Sequence, residues 1–388
     1  MVITNAIVCD VTGCRECDVE IENDEIVAVG DGLSGDEVID AKGAYLLPAL
    51  IDQDVSLLDS TLNAKNIKLL AEEAKKGGVG KILLNPHTTP AIDNEVVLEF
   101  AQNSIKDIDD VTIDLMLNTL QDDLSLSNIA ILLKKGAAAP YMSTIAKNNI
   151  AIKIAEYVKM YDTTLHCKAE DNSLIHSGVM FDGDVSSELG LSGIPELSEV
   201  LHVSRMLEIA KYFDIKILFK AIASPRSIEL ISKAKEEGMR VSCEVSIHHL
   251  INCDEACRDF NTIAKINPPL ASKKDMNQLQ QLLKSGAIDT LTTLHQPNSP
   301  VNKEVAFDDA AYGSSALADA LPLYYTKLVK NELIDMQTLL KLTTEGAKIE
   351  AGAKGAFVLF DPAKNYKVEN ADSLYRGEEL FGEVRNLS

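Results

Sequence analysis

Eight short apolar runs divide this chain between residues 46 and 293, separated by longer stretches in which apolar residues recur three and four apart. The runs are LLPALIDQDV (46 to 55), KILLN (81 to 85), VTIDLML (111 to 117), GAAAPY (136 to 141), TTLHC (163 to 167), KILFK (216 to 220), RVSCEV (240 to 245) and DTLTT (289 to 293). Runs of this length read as strands, and the spacing between them reads as helix. Strands and helices in alternation predict an α/β fold, a (β/α)8 TIM barrel whose chemistry sits where the strands end.

The two ends of the chain have a different texture. Residues 1 to 45 alternate apolar and polar positions in short runs broken by turns, and GAFVLFDP, after Ala351, returns to strand character. Neither end is large enough for a core of its own, so residues 1–48 together with 352–388 are expected to form one small β domain beside a barrel of residues 49–351. The last residues, GEVRNLS, suggest a reduced β domain with an edge open to pairing.

Composition narrows the function. The 388 residues carry 37 Lys and Arg against 59 Asp and Glu, a net charge of −22, which repels nucleic-acid phosphates and anionic lipids. No apolar run approaches the roughly 18 residues that a membrane span needs. The opening MVITNAIVCD has no basic n-region before an apolar stretch, and a cytoplasmic location is expected. Seven cysteines include Cys14 and Cys17 in a CxxC and Cys253 and Cys257 in a CxxxC. With no second Cys or His pair near Cys14 and Cys17, reduced thiols are expected there rather than zinc.

Several stretches resemble the bacterial dihydroorotases of the amidohydrolase superfamily. VIDAKGAYLLPALID (38 to 52) is similar to that family's lead into its first barrel strand, and GGVGKILLNPHTTPAID (77 to 93) to its second strand and substrate loop. Glu244-Val-Ser-Ile-His248-His249-Leu250 resembles the family's EVTPHHL, and Lys265-Ile-Asn267-Pro268-Pro269-Leu270 its KVNPPLR. Gly193-Ile-Pro195, Glu199, Arg205, Phe307 and Tyr312-Gly313 fall in register. The resemblance implies a barrel of the amidohydrolase type. It also implies divalent metals whose hydroxide attacks a ring amide while a carboxylate shuttles the proton.

The positions that would carry this chemistry depart from the family's pattern. Where the family has Asp-x-His-x-His, this chain has Asp52-Gln53-Asp54-Val55-Ser56. Leu58 and His87 stand where the resemblance implies an arginine and an asparagine for the substrate carboxylate. The bridging ligand falls near Met142 or Ser143. Strand five, which should end His-x-Glu-Asp, reads Lys168-Ala169-Glu170-Asp171, with His166 two residues upstream. Ala221 occupies the histidine position of strand six. Thr293-Leu294-His295-Gln296-Pro297-Asn298 replaces Thr-Asp-His-Ala-Pro-His, so Leu294 stands for the acid and base. No catalytic residue and no metal or other cofactor is expected, and Asn267, Tyr312 and Gly313 are read as remnants of the substrate pocket.

Lys168 is expected to supply an ammonium beside Asp52 and Asp54 in place of the metal charge. His248 and His249 read as structural, His176 and His202 as lacking partners, and Asp308-Asp309 as a solvated acidic patch. Silent homologues of this family are structural companions of aspartate transcarbamoylase. By that resemblance the expected partner is its catalytic chain, in a homo- or hetero-oligomer. The alternative is an active cyclic-amide hydrolase with zinc held by Asp52, Asp54, His87, His295 and a carbamylated Lys168. Asn298 borders that residual site.

Overall fold

The computed structural model describes residues 1–143 and 146–387. Eight parallel strands form the barrel: β1 (Leu50–Val55), β2 (Val79–Leu84), β3 (Thr112–Leu115), β4 (Pro140–Met142), β5 (Thr164–Lys168), β6 (Lys216–Lys220), β7 (Val241–Ser246) and β8 (Thr290–Thr292). Strands β1 to β3 pair in one sheet, and β4 to β8 continue in a second with Leu117–Asn118 at its edge. A bridge from Val55 to His295 closes the ring between β1 and the end of β8. All eight apolar runs therefore became barrel strands, with Tyr45–Pro48 at the head of the first run joining the other sheet instead.

The outer ring includes α1 (Ala64–Lys76), α2 (Glu95–Ile105), α3 (Ile129–Lys134), α4 (Asn148–Met160), α5 (Glu196–Phe213), α6 (Pro225–Glu236), α7 (Lys273–Lys284) and α8 (Met336–Thr343). Local chemistry sets where several of them begin. Asn63, Asn94, Ser224, Ser272 and Asp335 each accept a bond from a first-turn N–H of the helix that follows, satisfying donors that have no partner within the helix. Leu70, Leu98, Ile154, Met206, Ile231 and Leu339 turn inward from these helices onto the strands.

Both chain ends meet in one seven-stranded sheet, in the order Glu379–Asn386, Phe357–Lys367, Tyr45–Pro48, Val2–Asp10, Gly13–Glu22 and Glu25–Gly30, with Val38–Asp40 also paired to Val2–Asp10. Its separate core draws Ile3, Val8, Val19 and Leu46 from one end and Phe357 and Leu359 from the other. The edge strand Glu379–Asn386 is not open along its length, because Phe381 N–H donates to Thr326 Oγ1 at 2.8 Å.

Cys9 and Cys14 face each other across the hairpin joining Val2–Asp10 to Gly13–Glu22 and form a disulfide. This corrects the expectation of a reduced thiol at Cys14. The antiparallel register, not the CxxC spacing, decides which side chains meet, and it sets Cys17 opposite Ala6. Cys17, Cys253 and Cys257 are free thiols. Among the described residues no helix is long and apolar enough to cross a membrane.

Candidate functional site

The end of β1 is polar and buried. Asp52 accepts from Thr292 Oγ1 at 2.6 Å, from Thr293 N–H at 2.9 Å and Thr293 Oγ1 at 2.5 Å, and from Asp54 N–H at 3.2 Å. Burial raises its pKa against the pull of these donors. Asp54, one step nearer the mouth, accepts from Asn85 Nδ2 at 3.0 Å. Asp52 is thus a brace between β1 and β8, and Asp54 is the carboxylate that borders the mouth.

The cation beside these carboxylates is Lys220, at the end of β6. Its side chain has no exposed surface; Nζ donates to Glu244 Oε2 at 2.6 Å and to the Gln53 carbonyl at 2.7 Å, and lies 4.0 Å from Asp54 Oδ2. Burial pushes the Glu244 carboxyl upward in pKa, and the Lys220 ammonium pulls it down. Lys168 does not fill this role, contrary to expectation. It turns to Glu170 at 3.1 Å, and with its amide oriented to suit both neighbours, Asn267 accepts from Lys168 Nζ at 2.8 Å and donates to Glu170 Oε2 at 3.1 Å. A carboxylate two residues on, just past the end of its strand, outcompetes aspartates across the mouth. The lysine at the end of KILFK carried no motif; its signal was that it ends an inward-facing strand beside the Glu244 of EVSIHHL.

Above these groups opens a cleft of about 320 Å3, bordered by Asp54, Ser56, His87, Tyr141, Lys168 and Asn267 among others. His87 packs edge-on against Tyr141, with centroids 5.1 Å apart, and its Nδ1 lies 3.2 Å from Asn85 Oδ1. Although the residue opens to the cleft, the surrounding protein and the Lys168 charge press its pKa down to about 4. Tyr312 donates to the Gly178 carbonyl at 3.2 Å, and burial and Glu170 push its pKa up to about 12. Gly313 has φ +120°, and a Cβ there would sit 2.3 Å from the Gln296 carbonyl oxygen, so this loop requires glycine.

The structure gathers Asp54, His87, Lys168, Asn267 and Tyr312 around one opening, with Ser56, Ser143, Ala221 and Leu294 on the same wall. Met142 is buried. Ala221 and Leu294 hold left-handed backbone, φ 47° and 48°, a conformation that costs roughly 1–2 kcal/mol for a residue with a Cβ. Of the rearranged donor set, Asp54, His87, Lys168 and His295 border the opening and Asp52 lies outside its lining. His295 borders the opening, but its Nδ1 accepts from Ala316 N–H and Leu317 N–H, each at 3.2 Å, and its Nε2 faces Glu73 of α1 at 3.1 Å. Asn298 spends its amide on the Gln296 and Tyr312 carbonyls.

Among the described residues, no group of three or more His, Cys, Asp or Glu could hold a metal ion. The side chains at these strand ends do not fit the divalent metals of the family: one carboxylate borders an ammonium, and the other positions offer a hydroxyl, a second ammonium, a methyl group and a leucine. His248 and His249 are buried away from the cleft, the first 2.7 Å from Tyr375 Oη and the second 2.7 Å from Ser246 Oγ and 3.0 Å from the Pro268 carbonyl. His202 does have partners: its Nε2 lies 3.5 Å from Cys167 Sγ and its Nδ1 3.3 Å from Arg205 Nη2. Helical spacing brings Arg205 over His202, which inspection of single positions missed.

Residues 43–219 match the family described as Dihydro-orotase-like. The dihydroorotase of Elusimicrobium minutum is 36% identical over 333 residues, covering 84% of this chain and 77% of that protein. The dihydroorotase of Caldanaerobacter subterraneus is 31% identical over 412 residues, covering 99% and 94%. In fold, the chain superposes on L-hydantoinase from Arthrobacter aurescens with a TM-score of 0.88 at 19% identity, covering 99% of this chain and 94% of that one. Dihydropyrimidinase from Brevibacillus agri gives 0.86 at 20%, covering 100% and 93%. With relatives this similar over three quarters or more of their length, and with the amidohydrolase-type barrel and a β domain both present, the chain belongs to the dihydroorotase-like family.

Proposed function

We propose that this protein is a catalytically silent dihydroorotase-like member of pyrimidine biosynthesis that acts in the cytoplasm as a structural companion of the aspartate transcarbamoylase catalytic chain. One observation carries the loss of activity: the strand-end positions hold Asp54, Ser56, Lys168, Ala221 and Leu294, and both charged groups among them are already engaged by Asn85 and Glu170. A hydrolase of this type needs ligands free to bind a metal and a group able to move a proton. Leucine moves none. The companion role is supported by resemblance to silent homologues, with the barrel kept for its surface rather than its mouth.

Two measurements on the purified protein test the two halves of this reading. Bound metal after loading with zinc is expected to be sub-stoichiometric, with no turnover of dihydroorotate or carbamoyl aspartate; stoichiometric metal with turnover would establish the rearranged hydrolase instead. Light scattering of a mixture with the same organism's aspartate transcarbamoylase is expected to show a joint species, and independent elution would remove the partner.

A further inference from the structure

On the C-terminal face of the barrel, beside the cleft, two loop segments are clasped together. Thr262 Oγ1 donates to the Lys303 carbonyl at 2.8 Å, and Lys303 Nζ donates to the Thr262 carbonyl at 3.0 Å. Three apolar side chains flank this clasp in the open: Phe260 is 51% exposed, Val301 81% and Val305 42%. Phe260 and the preceding Asp259 both adopt left-handed backbone, φ 55° and 58°. Bulky residues avoid that region, and where one occupies it, packing normally offsets the strain. Here packing covers only about half of the residue, and the other half of an aromatic side chain is left facing solvent.

The charge around these side chains has one sign. Glu255, Asp259, Glu304, Asp308 and Asp309 are exposed in the two segments. The exposed cation there, Arg258, is bound to Glu188 and Glu255. Lys265 and Lys303 are buried, each donating to backbone carbonyls. An apolar centre with an acidic rim is complementary to a face that has an apolar recess ringed by lysine and arginine.

We propose that Phe260, Val301 and Val305 form the centre of a docking surface for such a basic-rimmed protein face, and that the aspartate transcarbamoylase catalytic chain presents it; the partner's identity rests on the function proposed above. The surface lies at the same end of the barrel as the cleft and shares no residue with its lining.

The test is the light-scattering mass of mixtures with that transcarbamoylase for the wild type, for the double variant Phe260→Asp and Val301→Asp, and for a control, Val96→Asp with Phe100→Asp, which alters an exposed apolar pair on α2. The substituted side chains are exposed, so circular dichroism should report an unchanged fold. The expected result is a joint species for wild type and control, with at least about tenfold weaker association for the first variant. Raising salt from about 0.05 to about 0.5 M should weaken the wild-type complex, because rim charges are screened. Equal association of the first variant overturns the surface and leaves the companion role standing, and equal loss in both variants overturns it as well. No joint species with the wild type overturns both proposals, and salt-insensitive association overturns the charge complementarity on which this one depends.

Discussion

A lysine ammonium with no exposed surface, held by one carboxylate and one carbonyl and within 4.0 Å of a second carboxylate, is costly to disturb. Replacing Lys220 by Met would leave Glu244 and Asp54 buried without a cation, and breaking a buried pair of this kind costs about 3–5 kcal/mol. Lys168 and Glu170 are partly exposed, and such pairs contribute about 0–1 kcal/mol. Chemical denaturation of Lys220→Met and Lys168→Met should therefore show a large loss for the first and a small one for the second; equal losses would mean that the two ammonium groups share the role here given to Lys220. His87 and Asn267 were legible as mouth residues because their motifs fix their places just after the second strand and on the loop after the seventh. Lys220 was not legible, since a lysine closing an apolar strand reads equally well as a surface end until the barrel turns it inward onto Glu244.

At the scale of elements, the barrel was readable because most strand residues are buried and show as short, largely apolar runs. What runs and spacings do not contain is register. Cys9 meets Cys14 because the hairpin pairs them, and the first run splits because Ala49 separates Tyr45–Pro48 from β1. Close packing between elements is equally hidden. The helix α1 ends at Gly77, where an added Cβ would lie 1.9 Å from the Leu317 carbonyl oxygen. Gly77→Ala must push α1 away from residues 317–320, and overpacking of this sort costs about 1–3 kcal/mol. A melting temperature equal to that of the wild type would show that the contact relaxes without loss.

For the whole molecule, buried histidines and buried carboxyls act in opposite senses in the response to acid. Burial lowers the pKa of His248 to about 3 and that of His249 to about 4, from an ordinary 6.5. As pH falls below 6.5 the unfolded chain takes up protons that the folded chain refuses, so stability falls from there down to the folded values. Glu199 opposes this: burial raises it to about 7 from 4.5, so the folded state binds the extra proton as pH falls from 7 to 4.5. Burial also lowers His202 to about 3, which adds to the loss, and the upward shifts of Glu244 and Asp52 add to the opposing gain. His248→Gln should flatten the dependence of unfolding free energy on pH by up to about 1.4 kcal/mol per unit; an unchanged slope would show that His248 titrates normally.

The sheet built from both ends of the chain sets an order of events during synthesis. Tyr45–Pro48 receives its second neighbour, Phe357–Lys367, only after some three hundred further residues have been joined, a wait of roughly 15–60 s at ribosomal rates of 5–20 residues per second. Through that interval the nascent chain carries a half-finished sheet with one unpaired strand edge, a template for wrong pairing until the last thirty or so residues arrive to cover it.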